Sequence, residues 1–404
     1  MENDDTLILN WTPFFGEQTW EQYRIDYCGS DLPPCLITHN RTYLTQSHLL
    51  VFHAPDMNWV ELPDKETRNV YDNKIPWVYY SAEAPAREWE FDDNMMRMFE
   101  FSLSYRLDSD FPATYLDEDL TTILRSPIYP FKDRKQVPVA WVVSNCHPVN
   151  GRHYYVKELL KYIDIDIYGK CMNNQEVLDP TINISDLIKQ YKFYLAFENS
   201  NCDYYVTEKL LNAFIAGVVP IVDGPSDYTP FAPTNHSLIQ IDQFSSPSEL
   251  ASYILSVSEN EQAYSSYLSY KNNDSTLSEE FVKYWQGYNH QTGIFGYDFR
   301  GGRCKLCKLA NQLRNFNNHD NQSSNNLFKD IFGDEISPKK FLYADRSCIF
   351  GKHNKYWNPL SIFSMPDSQY VYSVYFITLI IIFGLCVWVF KRIIFRRRID
   401  KEPT

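Results

Sequence analysis

Basic residues are scarce in most of this sequence. Its 404 residues include 38 Lys and Arg against 51 Asp and Glu, a formal net charge of -13 at pH 7. Six of the basic residues lie within the last fourteen positions, so the rest of the chain is more acidic still. A duplex nucleic-acid binder gains much of its affinity by neutralising phosphates. Nucleic acid is therefore not an expected partner, and a few well-placed cations must meet any anionic ligand.

Glycine-rich phosphate-binding motifs are also absent. The sequence contains neither a G-x-G-x-x-G fingerprint nor a Walker loop, which argues against the usual dinucleotide-binding and NTPase sites. No internal repeat is visible, and two α/β halves are the simplest division of a chain of this length. Because 44% of the residues are hydrophobic and 16% aromatic, the chain has ample material for buried cores.

The start of the sequence lacks the features of a secretory leader. MENDDTLILNWTPFFGEQTW has neither a basic n-region nor an apolar h-region. No signal peptide or N-terminal anchor is therefore expected. Either the chain begins downstream of its natural start, or its C-terminal hydrophobic segment directs membrane insertion.

One long hydrophobic run is present near the C-terminus. Val371 to Phe390 is uncharged over twenty residues, about the length that a helix needs to cross the hydrocarbon core. A buried core helix is the alternative, but the basic block Lys391 to Arg398 directly after the run argues against it. We predict a transmembrane helix over 371–390 and, by the positive-inside rule, a cytosolic tail over 391–404.

Glycosylation sequons and cysteines both indicate a lumenal body. Six N-x-[ST] sequons can be used only in the secretory lumen, and they lie at Asn10, Asn40, Asn183, Asn235, Asn273 and Asn321. Of nine cysteines, Cys386 falls in the hydrophobic run, and the other eight form an even set, as a disulfide framework requires. We therefore expect a single-pass protein of the Golgi or ER membrane with its main body in the lumen.

Strand and helix patterns are clearer in the second half of the chain. The first half has short apolar runs such as Leu49 to His53 and Ile75 to Tyr80. After residue 138, strand-like VAWVVSN, helical YYVKELLKYI and strand-like DIDIYG follow in order, the rhythm of a parallel βαβ unit. The same strand-helix-strand order recurs with the strand-like FYLAFEN, the helical EKLLNAFIA and the strand-like VVPIV. Gly217 is predicted to end the helix.

The segment from Tyr191 to Gly224 carries the strongest signal for a ligand site. Thr207 is a suitable N-cap for a helix that begins at Glu208, and the N-terminus of such a helix favours a diphosphate. Lys209 would add positive charge, and Glu208 could accept hydrogen bonds from ribose hydroxyls. On spacing alone, an ordinary capped helix with surface charges explains the pattern equally well.

The same segment, YKFYLAFENSNCDYYVTEKLLNAFIAGVVPIVDG, resembles the signature of the α1,3-fucosyltransferase family, in which FENS precedes a TEK block and a later VPV-type strand. In that family the Tyr, Glu and Lys of the block bind GDP-fucose. The resemblance assigns these roles to Tyr205, Glu208 and Lys209, with Asn199 beside the nucleotide. VAWVVSNCHPVNGRHYYVKEL is similar to the family's VSN motif, whose following Arg contacts the diphosphate and is here Arg152.

Two cysteine-containing segments extend the resemblance. CLITHNRTYLTQSHLLVFH is similar to an early family segment, and RCKLCK to the family's late CxxC. By that analogy Cys28 and Cys35 are bridged to Cys304 and Cys307, in some order. A zinc site is the alternative, but only one CxxC exists and the expected compartment is oxidising.

Three further cysteines, Cys146, Cys171 and Cys202, follow predicted strand ends. Neighbouring parallel strands end side by side, so Cys146 could pair with Cys171 or with Cys202, leaving the third for Cys348. The segments NCHPVNGR and NSNCDYYVTEK look closer to family members that act on the N-glycan core or on protein O-fucose sites than to the Lewis-antigen group.

The resemblance also supplies a catalytic base. WVYYSAEAP is similar to the family's Glu-Ser-Pro motif, with Glu83 as the base and Ala84 in place of Ser. An inverting transfer needs one carboxylate to take the acceptor's proton while the acceptor attacks the anomeric carbon. Glu88 and Glu90 are nearby alternatives, and for all three a solvated surface carboxylate is the simplest other interpretation.

Asp108-Ser109-Asp110 offers a different enzyme hypothesis, a DxD glycosyltransferase that holds Mn²⁺ on the diphosphate. The surrounding SYR-x-DSD is, however, similar to a fucosyltransferase segment. That family has the GT-B fold and needs no metal, so neither a metal site nor another cofactor is expected.

These observations together predict an α/β protein of GT-B type, with two Rossmann-like domains facing a cleft. We expect an acceptor domain over 1–132, a GDP-fucose domain over 133–310 and an Asn/Ser-rich stem over 311–370, before the membrane helix. The expected function is inverting transfer of fucose from GDP-fucose to a glycan or glycoprotein hydroxyl in α1,3 linkage, on N-acetylglucosamine of N-glycans. Alternatives are a protein O-fucosyltransferase of the same fold and a non-catalytic membrane lectin.

Overall fold

The structure is a computed structural model. It describes residues 6–16, 22–63, 75–85, 93–96, 98–116, 120–177, 179, 181–272, 275–285, 299–319 and 347–356. Residues 1–354 form one compact unit, and residues 355–404 form a second unit. The predicted membrane helix over 371–390 and the tail over 391–404 lie outside the described residues. No helix among the described residues is long and apolar enough to cross a membrane.

The first half of the chain forms a seven-stranded sheet within its described part, in the order β2-β3-β1-β4-β5-β6-β7. Its strands are β1 Thr6–Asn10, β2 Tyr23–Ile25, β3 Cys35–Thr38, β4 Leu49–His53, β5 Trp77–Ser81, β6 Phe101–Ser104 and β7 Phe111–Pro112. All pairings are parallel except that of β2 with β3. The chain leaves β1 towards β3 and returns to β4 on the other side of β1. The β1/β4 boundary is therefore the topological switch point of this sheet.

The second half forms a five-stranded sheet, fully parallel in the described residues, in the order β13-β12-β10-β8-β9. These strands are β8 Val139–Val143, β9 Ile165–Gly169, β10 Phe193–Phe197, β12 Val219–Asp223 and β13 Ile239–Gln240. The prediction of repeated βαβ units is confirmed here. The switch point of this sheet lies between β8 and β10, where a doubly wound sheet binds its ligands.

The helices that the structure describes are α1 Asp93–Met96, α2 Leu120–Arg125, α3 Arg152–Leu159, α4 Ile184–Ile188, α5 Glu208–Ala216, α6 Pro247–Ser258, α7 Glu261–Tyr267, α8 Glu279–Trp285 and α9 Phe299–His319. The predicted end of α5 at Gly217 is confirmed, because Gly217 has φ 63° and its N–H bonds back to the last turn. This left-handed conformation suits glycine at a helix C-terminus.

Helix α9 crosses from the second sheet to the first. It packs on strands of the first sheet, including β1 and β7, although it follows the second sheet in sequence. Two disulfides, Cys28–Cys304 and Cys35–Cys307, join it to the segments around β2 and β3. Residues 299–319 thus follow the second sheet in the sequence but pack on the first.

A second stretch of the predicted stem belongs to the second domain. Strand β14 (Cys348–Ile349) pairs antiparallel with β11 (Asn201–Cys202), and Cys202 forms a disulfide with Cys348. The remaining pair is Cys146–Cys171, at the adjacent ends of β8 and β9. Of the two pairings that the sequence left open for Cys146, the structure contains this one.

The sequons fall into two groups. Asn40, Asn183 and Asn235 are exposed, as a glycosylated residue must be. Asn10 is the exception: it ends β1, is 6% exposed and lies 3.5 Å from His39 through its amide nitrogen. Asn10 is thus buried in the folded protein, unlike the other three sequon residues that the structure describes. Asn273 and Asn321 lie outside the described residues.

Candidate functional site

A buried carboxylate organises the C-terminal edge of the second sheet. Glu198 directly follows β10 and is 1% exposed. It accepts hydrogen bonds from the Thr207 backbone N–H at 2.8 Å and from the Thr207 hydroxyl at 2.9 Å. Burial raises the pKa of Glu198, and the neighbouring Lys209 ammonium opposes that rise. The sequence analysis missed Glu198, although it stands beside Asn199 in the FEN motif.

Lys209 lies between two carboxylates. Its ammonium is 3.1 Å from Glu198 and 3.0 Å from Glu208, and it donates to the Thr207 hydroxyl at 2.6 Å. Burial alone would lower the pKa of Lys209, but Glu198 and Glu208 hold it above its ordinary value. Lys209 is therefore charged, and that charge is already balanced before any anion binds.

Thr207 is the N-cap residue of α5, as predicted. It makes no side-chain hydrogen bond to the helix backbone, because its hydroxyl is bound by Glu198 and Lys209. The first N–H groups of α5 consequently donate no hydrogen bond to this hydroxyl. An anion at this helix end would meet both these donors and the positive end of the helix dipole.

Arg152 is the first residue of α3 and is only 2% exposed. It donates to the carbonyl of Phe197, and its guanidinium lies 5.8 Å from the ring centroid of Trp141. Burial lowers its pKa, while the charges of Glu198 and Asp223 act in the opposite direction. Its Nε has no hydrogen-bond partner among the described residues. Arg152 is thus a buried cation at the sheet's switch point.

Several buried polar atoms near this edge lack partners within the described structure. They are Asn199 Oδ1, Ser200 Oγ and Tyr228 Oη. Gly224 leaves space beside them, because a Cβ there would lie 2.5 Å from Tyr228 Oη and 3.2 Å from Glu198 Cγ. Buried polar groups are normally paired, so this set is suited to a polar ligand at the C-terminal ends of β10 and β12. Ser200 ends the FENS motif but was not predicted as a site residue, and no sequence pattern indicated Tyr228.

Tyr205 joins the two domains. It is 2% exposed, and its ring lies 4.9 Å from that of Tyr105 and 6.5 Å from that of Tyr115, both in the first domain. Burial raises its pKa well above the ordinary value, with further contributions from Tyr115 and Glu83. The predicted nucleotide-binding residue is therefore also a contact between the domains.

Glu83 stands on the first domain, just after β5. Its N–H donates to Ser81 Oγ at 3.1 Å, which fixes the turn, and Tyr115 donates to the adjacent Ala82 carbonyl at 2.7 Å. The pKa of Tyr115 is raised first by burial and then by the carboxylates of Glu83, Glu208 and Glu198. Carboxylates from both domains thus converge around one tyrosine. Glu88 and Glu90 lie outside the described residues.

The Asp108-Ser109-Asp110 sequence is held by local contacts. Asp108 accepts two hydrogen bonds from Arg106, at 2.7 and 2.8 Å. Asp110 accepts from the backbone N–H and the hydroxyl of Ser102, at 2.7 and 2.9 Å. Both carboxylates therefore act within the first domain's own structure. In the described part of the chain, no group of three or more His, Cys, Asp or Glu residues is arranged to hold a metal ion.

Both domains match models of a known protein family. The profile of the fucosyltransferase N-terminal domain matches residues 3–116, and that of the glycosyltransferase family 10 (fucosyltransferase) C-terminal domain matches residues 132–329. A crystal structure of an α1,3-fucosyltransferase with GDP aligns with 66% of this chain and 78% of its own, at 19% identity and a TM-score of 0.41.

Curated relatives fall into two groups. GDP-fucose protein O-fucosyltransferase 3 is 30% identical in Xenopus tropicalis, over 75% of this chain and 66% of the relative, and 32% identical in Homo sapiens, over 66% and 57%. The chain thus spans about three fifths of the length of these relatives. The 4-galactosyl-N-acetylglucosaminide 3-alpha-L-fucosyltransferase 9 of Rattus norvegicus is 34% identical, over 70% of this chain and 76% of the relative. The chain belongs to glycosyltransferase family 10, the fucosyltransferases.

Proposed function

We propose that this chain transfers fucose from GDP-fucose to an acceptor hydroxyl with inversion at the anomeric carbon. The observation that carries the proposal is the contact between the domains at Tyr205, whose ring lies 6.5 Å from that of Tyr115, while the Tyr115 hydroxyl donates to the Ala82 carbonyl beside Glu83. A base on one domain then faces a nucleotide-binding edge on the other, as a transfer between two substrates requires.

The reaction follows from this arrangement. Glu83 takes the proton of the acceptor hydroxyl as that oxygen attacks the anomeric carbon of fucose. The bond between that carbon and the diphosphate oxygen breaks, and its electron pair leaves with GDP. Arg152, Lys209 and the N-terminus of α5 stabilise the charge that develops on the diphosphate.

In this mechanism the Lys209 ammonium must contact the diphosphate as well as its carboxylate partners. In the structure its ammonium is held by Glu198 and Glu208. A diphosphate would compete with Glu208 for it, because Glu208 is at the more exposed of the two contacts, with a side-chain exposure of 53% against 1% for Glu198. We propose that Glu208 turns towards the ribose hydroxyls of the donor when the diphosphate binds.

For the acceptor, we propose the N-acetylglucosamine of N-glycans, fucosylated in α1,3 linkage. The 34% identity to a 3-α-L-fucosyltransferase supports this choice. Transfer to a protein hydroxyl is the second candidate, since the Xenopus and human relatives are named protein O-fucosyltransferases. We place the body in the Golgi or ER lumen, anchored through 371–390, because exposed sequons and four disulfides suit that compartment.

Turnover of GDP-fucose tests the proposal. The full-length chain, expressed in a secretory host, is incubated with GDP-fucose and a panel of N-glycans, N-acetyllactosamine and folded protein domains with acceptor serine or threonine. Linkage is read by NMR of the product. An α1,3-fucosylated glycan supports the first candidate and a fucosylated protein the second. GDP-fucose binding without release of GDP on any acceptor would favour the non-catalytic lectin.

A further inference from the structure

A small pocket opens at the switch point of the first sheet. Its walls include Asn10 at the end of β1, His53 at the end of β4 and Tyr80 in β5, together with Phe14 and His39. His53 and Tyr80 are paired in register on adjacent strands, and Tyr80 lies three residues before Glu83. A parallel sheet binds ligands at this position. The pocket is thus next to the proposed base, on the acceptor side of the enzyme.

His53 lines this pocket and has one buried ring nitrogen without a hydrogen-bond partner in the described structure. The side chain is 3% exposed. Its Nδ1 lies 2.5 Å from Asp56 Oδ2, while Nε2 has no hydrogen-bond partner among the described residues. Burial lowers the pKa of His53 in spite of the neighbouring Asp56. In the neutral ring Nδ1–H donates to Asp56, which leaves a lone pair on Nε2 for a hydroxyl donor.

Asp56 also positions an exposed aromatic ring beside His53. It accepts the backbone N–H of Phe15 at 2.5 Å and that of Gly16 at 2.7 Å. Phe15 has φ 49° and is 55% exposed, with its ring 4.8 Å from that of His53. A left-handed backbone disfavours an aromatic residue by about 1–3 kcal/mol and tends to occur at ligand sites. The strained conformation therefore keeps an apolar surface in solvent next to an unpaired acceptor.

A pyranose ring matches both features. Its C–H face packs on an aromatic ring, and its hydroxyls donate hydrogen bonds to a neutral imidazole. We propose that Phe15 and His53 form an acceptor subsite that binds a pyranose of a glycan, with Phe15 against the sugar's apolar face and His53 Nε2 accepting from one of its hydroxyls. Asp56 is the positioning residue for both. The inference rests on the proposed transfer and specifies which side of the acceptor the first domain holds.

The subsite is tested by separating sugar binding from fucosyl transfer. Saturation-transfer NMR with chitobiose and N-acetyllactosamine, in the absence of GDP-fucose, measures binding to the wild type and to Phe15→Ala and His53→Phe. The exposed aromatic Tyr162 of the second domain provides the matched control, Tyr162→Ala. We expect both subsite variants to lose the saturation-transfer signal and to raise the acceptor KM at least about tenfold. The KM for GDP-fucose and its hydrolysis without acceptor should stay unchanged.

Each outcome bears on one claim. Unchanged sugar binding and acceptor KM in both variants would overturn the subsite. So would transfer confined to a folded protein domain with no binding of free sugar. A wild type that binds sugar through Phe15 and His53 but transfers no fucose would support the subsite and refute the proposed function. Phe15→Tyr, which keeps the ring, should retain binding and shows whether a loss in Phe15→Ala comes from the missing ring or from misfolding.

Discussion

The Lys209 ammonium lies 3.1 Å from the buried carboxylate of Glu198. The two residues stand on either side of the loop that connects β10 to α5, so the ion pair closes the loop on itself. In the proposed mechanism the same ammonium also binds the donor diphosphate. Loop stability and donor binding thus depend on one cation, and substitutions of it should affect both.

Lys209→Ala should lower the free energy of unfolding by about 3 kcal/mol, because it leaves Glu198 buried without its cation. It should also weaken GDP binding. The double variant Glu198→Gln/Lys209→Met should recover most of the stability but not the GDP affinity. Chemical unfolding and calorimetric GDP titration of the three proteins check this. If the double variant regained GDP affinity, Lys209 would have no direct part in binding the diphosphate.

Glu83→Gln should reduce transfer at least about 100-fold, because the amide cannot take the acceptor proton. GDP-fucose affinity should remain within about threefold of the wild type, since Glu83 belongs to the other domain. Initial rates and donor titration measure the two effects. Glu261→Gln, at an exposed glutamate on α7, is the matched control. Retention of more than a tenth of the wild-type rate would remove Glu83 as the base.

Turnover should persist in excess EDTA. The proposed diphosphate site uses Arg152, Lys209 and a helix end, and the carboxylates of Asp108 and Asp110 already accept hydrogen bonds from neighbouring residues. The assay compares rates before and after chelation, with and without added Mn²⁺. Loss of activity that Mn²⁺ restores would revive the DxD hypothesis.

Removing the Cys202–Cys348 disulfide with two serines should cost about 2–5 kcal/mol of stability. It should also weaken GDP binding, because the released segment carries Lys352 and His353, which lie 2.9 and 2.7 Å from Asp223 at the end of β12. The matched control removes the Cys146–Cys171 disulfide, which links residues 25 positions apart, whereas Cys202 and Cys348 are 146 positions apart. Equal losses of stability and of GDP affinity in the two variants would show that the segment with Lys352 and His353 has no specific role in GDP binding.

His153 should make stability depend on pH. Burial lowers its pKa from 6.5 to about 4, with smaller contributions from Lys157, Arg152 and His147. The unfolded chain therefore binds a proton first as pH falls, and the folded state loses stability between about pH 6.5 and pH 4. We expect this residue to account for about 1–2 kcal/mol of that loss, after allowance for solvent screening. Unfolding of His153→Gln at pH 7 and pH 5 should show a smaller decrease than the wild type.

Much of the second domain was predictable because its elements are local. The strands around Val139 and Phe193 and the helix that ends at Gly217 each carry their own pattern of apolar residues and terminating glycine. Helix α9 shows the opposite case. It packs on a sheet whose first strand, β1, lies almost 300 residues earlier in the sequence. No local pattern indicates that partner, and only the resemblance of its CxxC to the family's motif did.

The candidate site likewise contains residues that the sequence predicted and residues that it did not. The motif resemblance supplied Glu83, Arg152 and Lys209, whose residue types suggest their chemistry. Glu198 and His53 were missed because their roles depend on burial and on contacts with Lys209 and Asp56. Neither burial nor such a contact is visible from the identity of one residue in a sequence.

The return of helix α9 to the first sheet has a consequence for synthesis. If the body enters the lumen as proposed, Cys28 and Cys35 reach the oxidising compartment first, and Cys304 and Cys307 follow 276 and 272 residues later. At about 5–20 residues per second, that delay is on the order of tens of seconds. During it, Cys146 and Cys171 arrive and offer incorrect partners. The second sheet is therefore completed while the first still lacks its last helix, and the nascent chain depends on thiol exchange to keep its two earliest cysteines available.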